Sequence, residues 1–234
     1  MNIPKVPLDS LPKLSATQLS QVTMQATGKY GMDMRLLVEH AARNTAELTM
    51  NVVPEGPLLV VAGRGHNGGV GLAAARLLAS KGRSIWVVPT HEAGNYSGIP
   101  KEQLESLDHF PKVRVKTSLP KMKFAGAVDA AVGTKLEGPP RGRTLDVITI
   151  LNNMEKCCVV SVDVPTGMTP DDGDTPGDVV NATATLSLVY PHQGITPGGA
   201  VGDLYVGDLN LPPGVFEDLG IDAPKFKSWL TQVE

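Results

Sequence analysis

Apolar residues along this chain fall into two rhythms. One is a set of short continuous runs, "PLLVVAG" (57–63), "SIWVV" (84–88), "GAVDAAVGT" (126–134), "CCVVSVDV" (157–164), "ATATLSLVY" (182–190) and "DLYVGDL" (203–209). Each is bounded by glycine, proline or charge, and reads as a strand. Most are apolar at every position rather than at alternate ones, so both faces are buried, as in a parallel sheet covered by helices. "KVRVK" (112–116) alternates instead and reads as an edge strand. The second rhythm is helical. "DMRLLVEHAARNTAEL" (33–48) carries Leu37, Ala41 and Leu48 near one face, with Asp33 as N-cap. "GGVGLAAARLLASKG" (68–82) is an Ala/Leu-rich helix stopped at Gly82. "TLDVITILNNMEK" (144–156) has Val147, Ile148, Leu151 and Met154 at helical spacing.

Strands alternating with helices predict an α/β fold, a three-layer α/β/α sandwich around a Rossmann-like, mostly parallel sheet. No repeat and no composition break divides the 234 residues, so one domain is expected over 1–234, with 1–18 as a loose N-terminal arm.

Composition narrows the function. Charged residues are 19% and the formal net charge is −3, which advertises no broad nucleic-acid or membrane surface. Aromatics are 4%, too few for a base-stacking platform. No apolar run approaches the ~20 residues of a membrane span, and the proline-broken start lacks a signal-peptide core. The two cysteines, Cys157 and Cys158, are neighbours at the opening of a strand. Adjacent cysteines rarely pair, so buried thiols and a cytoplasmic location are expected.

In open sheets of this class, ligands bind at the carboxyl ends of strands. Three loops follow strands there. "GRGHNGGVG" (63–71) leads into a helix; its glycines would permit positive φ or close backbone approach, and the helix start suits phosphate. Gly63, Gly65 and Gly68 fit G-x-G-x-x-G, but the acidic ribose partner expected about 20 residues on is missing, and Glu92 is a poor substitute. "DAAVGTKLEGPPRGR" (129–143) adds glycine with Arg141 and Arg143, whose guanidinium forks match phosphate oxygens. "DVPTG" (163–167) places Asp163 at a strand end, where a carboxylate can serve as acid, base or metal ligand, or simply as a turn residue. "DDGD" (171–174) does not fit a calcium loop and reads as a solvated turn.

Taken together, the glycine loop, "VDAAVGTKLEGPPRG", "VVSVDVPTGMTPDDGD", "ATATLSLVYPHQG" and "GDLYVGDLNLP" resemble the YjeF N-terminal domain family, whose best-known members are NAD(P)H-hydrate epimerases. The likeness runs from about Tyr30 to Pro212. It implies a Rossmann-like sandwich, a homodimer, and a substrate of hydrated NADH or NADPH, called NAD(P)HX, whose R and S forms are interconverted so that a separate dehydratase can repair both. It also implies a potassium ion held by Asn67, Asp129 and Thr166. Substrate would lie across His66, Asn67, Gly68, Gly69 and Val70, along Gly133, Thr134, Lys135, Leu136, Glu137, Gly138 and Pro139, near Arg141, and against Asp163. Asp163 takes the acid/base role, with His192 as the second catalytic candidate. The chain departs from the family pattern at His66 for an asparagine, Val70 for an aspartate, Lys135 for a glycine, His192 for a lysine and Thr166 for a serine, and Arg64 and His40 also replace common family residues. Two alternatives stay open on those departures: a non-catalytic dimeric scaffold on the same fold, or an enzyme for another phosphorylated, nucleotide-like molecule.

Overall fold

The computed structural model describes residues 3–119, 122–136 and 138–234. Nine strands form one sheet: β1 (Lys5–Val6), β2 (Leu58–Ala62), β3 (Ile85–Pro89), β4 (Val113–Val115), β5 (Gly126–Ala130), β6 (Cys158–Val162), β7 (Ala184–Leu188), β8 (Asp203–Gly207) and β9 (Leu230–Val233). Their order is β1-β9-β8-β7-β6-β5-β2-β3-β4, and every pairing is parallel except β8 with β9. The alternating segment is β4, an edge strand as its pattern predicts.

Helices α1 (Ala16–Gly28), α2 (Met34–Val52), α3 (His66–Ser80), α4 (Gly98–Ser106), α5 (Arg143–Asn152) and α6 (Pro213–Glu217) complete the fold. Strand pleating sorts the continuous apolar runs between two layers. Leu58, Val60 and Ala62 of β2 pack in one core with Leu37, Ala41, Leu72 and Ala75 of α2 and α3. Their neighbours Leu59 and Val61 pack in another with Val147, Ile148 and Leu151 of α5. A run with no polar position is therefore what a strand between two helical layers requires. Asp33 caps α2, accepting from the Arg35 backbone N–H at 2.7 Å. Gly82, at φ +96°, follows the end of α3.

The expected loose arm is instead tied down. β1 pairs in parallel with β9, and the Leu8 N–H donates to the Glu234 carbonyl at 2.8 Å. Leu14 forms an isolated parallel bridge with His192. Ser15 and Gln18 then make a reciprocal capping box that starts α1. The cysteines are half-buried rather than buried, both are free, and Cys157 precedes the strand that Cys158 opens.

The connections place the site. From β2 the chain moves outward to β3 and β4 on one side; from β5 it moves to β6, β7 and β8 on the other. The reversal falls between β2 and β5, and the crevice above such a point is where open α/β sheets bind ligands.

Candidate functional site

The glycine loop follows β2 at this reversal. None of Gly63, Gly65, Gly68, Gly69 and Gly71 has positive φ, so conformational freedom is not why they are there. Close approach is. A Cβ on Gly63 would lie 2.0 Å from the Ala131 carbonyl oxygen, and one on Gly71 would lie 2.4 Å from the Ala130 Cβ. These two glycines let the loop and α3 settle onto the end of β5. Gly65 faces open space and caps α3 without a side-chain bond. The first N–H groups of α3 and its dipole therefore face the crevice, a setting suited to an anion.

Asp129, the fourth residue of β5, is fully buried. Its carboxylate accepts from the Ser161 hydroxyl (2.9 Å), the Thr166 backbone N–H (2.9 Å), the Thr166 hydroxyl (2.7 Å) and the Ala131 N–H (3.3 Å). Burial pushes its pKa up, against the pull of these donors. Ser161 carried no signal of its own in the sequence; it lies opposite Asp129 in the β5–β6 register, and only that pairing reveals it. Asn67 packs over Gly133, where an added Cβ would be 3.4 Å from it, and its amide donates to the Val162 carbonyl at 3.2 Å. Asp129 and Thr166 are thus joined directly, and Asn67 reaches the same strand ends through Gly133 and Val162.

Asp163 follows β6 in a left-handed conformation (φ +70°), uncommon outside glycine though tolerated by Asp and Asn. Strained backbone of this kind is concentrated at functional sites. The turn is fixed by the Asp163 N–H donating to the Leu186 carbonyl at 2.8 Å. Asp163 Oδ1 lies 3.0 Å from His192 Nε2. The two differ in access: the aspartate side chain is 17% exposed and the histidine 1%. Nδ1 of His192 is buried and has no hydrogen-bond partner among the described residues.

The remaining candidates divide by exposure. His66 begins α3 and is exposed. Gly68 and Gly69 are buried, Gly69 against Pro100. Val70 is buried within the core. After β5, Gly133, Thr134 and Leu136 are half-buried, and Lys135, Gly138, Pro139 and Arg141 are exposed. Glu137 lies outside the described residues. Tyr96, which carried no sequence signal, is buried and donates to the Ala62 carbonyl at 2.7 Å, pinning the β3–α4 loop to the end of β2.

The family model described as YjeF-related protein N-terminus matches residues 35–194. An NAD(P)H-hydrate epimerase from Truepera radiovictrix is 59% identical over 209 residues, 89% of this chain and 94% of that protein. A bifunctional NAD(P)H-hydrate repair enzyme from Thermofilum pendens is 31% identical over 86% of this chain, which spans 41% of that longer protein. The crystal structure of yeast ynu0 superposes with a TM-score of 0.83 at 22% identity, covering 95% of this chain and all of that one, a likeness of fold.

Proposed function

The chain belongs to the YjeF-related protein N-terminus family, and from that premise we propose that it is an NAD(P)H-hydrate epimerase, converting the R and S forms of hydrated NADH or NADPH into one another. The observation that carries the reading is the Asp163–His192 pair beside the crevice, 3.0 Å apart with only the aspartate accessible. The high identity to the Truepera radiovictrix epimerase supports it, and favours a catalyst over a scaffold.

One route to inverting a carbon that bears a hydroxyl beside a ring nitrogen is loss of the hydroxyl as water, driven by the nitrogen lone pair, and return of water to the other face. One group must give a proton as the C–O bond breaks and take it back as the bond re-forms. Asp163 is placed to touch substrate and do both. His192, behind it, holds the carboxylate in place and shares its proton; it acts through Asp163 as a positioning residue. The start of α3 and the Gly133–Arg141 loop bind the nucleotide phosphates.

Potassium is part of the same proposal. A fully buried carboxylate, bonded to no cationic side chain among the described residues, is neutralised either by a proton or by a bound cation. Asn67, Asp129 and Thr166 offer oxygen donors suited to a hard ion. Such an ion would supply fixed positive charge beside the substrate. A homodimer, a cytoplasmic location and a separate dehydratase partner complete the reading, the last in keeping with the bifunctional repair enzyme from Thermofilum pendens. Among the described residues no helix is long and apolar enough to cross a membrane.

The test is turnover of R-NADHX in the presence of potassium, coupled to an S-specific dehydratase, against an enzyme-free control. Conversion above the spontaneous rate is expected; conversion equal to the control would remove the reading.

A further inference from the structure

Asp163 ends β6, the glycine loop ends β2, and β3 is the next strand outward. At ~4.8 Å per strand, the ends of β6 and β3 are about 14 Å apart. A dinucleotide with its reacting ring at Asp163 and its phosphates over α3 therefore sends its adenosine half towards the ends of β3 and β4. A cavity of about 220 Å³ lies there, walled in part by Pro89, Leu104 and Val115, with His91 on its rim.

Three basic residues are placed around it: Arg64 in the glycine loop, His91 after β3 and Arg143 at the start of α5. The Thr90 N–H donates to the Ala62 carbonyl at 3.0 Å, so the end of β3 lies against the residues preceding Arg64. Arg143, the first residue of α5, reaches across to donate to the Thr117 carbonyl at 3.2 Å, on the cavity wall. His91, an exposed residue, stands 2.8 Å from the Thr90 hydroxyl, and partial desolvation with the nearby charges of Arg64 and Arg143 lowers its pKa. Glu105 and Asp108 also line the cavity, with Lys101 3.7 Å from Glu105 and Lys116 on the same wall. Glu92 follows His91 and makes no side-chain cap bond.

In doubly wound folds this strand end reads the adenosine ribose. A carboxylate there bonds a free 2′-hydroxyl, and an arginine accommodates a 2′-phosphate. Guanidinium forks match phosphate oxygens, and a neutral imidazole can donate a further hydrogen bond.

We propose that Arg64, His91 and Arg143 form a site for the 2′-phosphate of the substrate, so that the chain favours the 2′-phosphorylated hydrate over the unphosphorylated one. This rests on the epimerase reading for the identity of the substrate, and its test is independent of turnover. Adenosine 2′,5′-bisphosphate and adenosine 5′-monophosphate differ only in that phosphate. Calorimetry on the wild-type protein is expected to show the bisphosphate bound on the order of tenfold more tightly, the worth of one charge-assisted contact. Arg64→Gln combined with Arg143→Gln, both exposed positions, should bring the two affinities together while the thermal midpoint is kept. Equal affinities in the wild type, no binding of either, or a preference that survives both substitutions would overturn the proposal. Hydrate turnover separates the two readings. A retained preference for the bisphosphate with no turnover of either hydrate removes the epimerase and keeps the site. Equal kcat/KM for the two hydrates without that preference keeps the epimerase and removes the site.

Discussion

Gly68 stands so close to Gly63 that a Cβ built on it would lie 1.8 Å from the Gly63 carbonyl oxygen. The contact is backbone against backbone, so no side chain can turn aside. Gly68→Ala must push α3 away from the end of β2, and overpacking of this kind costs about 1–3 kcal/mol or more. The thermal midpoint should fall by several degrees. Gly65→Ala meets nothing within 4 Å and gives up only the N-cap preference for glycine, so its shift should be clearly the smaller of the two. Equal shifts for the two would refute the packing account of the loop.

Asp163→Asn should reduce turnover by ~10²–10⁴ with the fold intact. Asparagine keeps the side-chain shape and tolerates the left-handed backbone at φ +70°, so circular dichroism and melting should match wild type. Unchanged turnover would take Asp163 out of the acid/base role. His192→Gln should lower kcat and move its pH profile while leaving KM largely in place, because the buried ring acts through Asp163. An effect confined to KM would argue for direct substrate contact.

Asp129→Asn keeps the shape and exchanges an acceptor for a donor opposite Ser161 and Thr166. A buried donor facing donors costs ~1–3 kcal/mol. In wild type, replacing potassium by a bulky organic cation of equal ionic strength should lower the melting temperature; in Asp129→Asn that response should vanish. A wild-type midpoint indifferent to the ion would remove potassium from the site.

Burial raises the Cys157 thiol to a pKa of about 11. The thiolate is the reactive form, so at pH 8 only about a thousandth of it is available. Alkylation at Cys157, followed by peptide mass spectrometry, should be slow at neutral pH and accelerate as pH rises towards 11. Rapid labelling at pH 7 would contradict the burial.

Strands and buried helices were the legible part of the chain, because their apolar rhythm is set by the two layers each strand must satisfy. The continuous run at 58–62 became β2 between both cores, and Asp33 capped α2 where a short polar side chain before an amphipathic segment should. α1 gave no such rhythm: only Val22 and Ala26 are buried, and its one advertisement was the Ser15–Gln18 capping box. α4 was hidden behind a turn-rich stretch, although Pro100 lies in its first turn, where proline is tolerated. β1 and β9 are two and four residues long, too short for periodicity to register.

In the site, Asp163 and the glycine loop could be picked out because strand ends are where chemistry gathers. The reason for the glycines could not. Positive φ and close approach write the same letters, and only the position of β5 beneath the loop separates them. The burial of His192 behind Asp163 was equally invisible, since it depends on Leu14, far away in the chain, bridging to the histidine backbone.

That bridge and the pairing of β1 with β9 bear on how the protein is made. Residues 5 and 6 find their strand partner only in residues 232 and 233, at the far side of the sequence. Until those are made, residues 5 and 6 lack the strand beside which they lie in the folded sheet. Contacts of such long sequence separation form late and slowly. The sheet from β2 to β8 can take shape before β9 has been made, whereas β1 can join it only afterwards. A pause before β9 is made would therefore hold back the docking of β1 more than it holds back compactness.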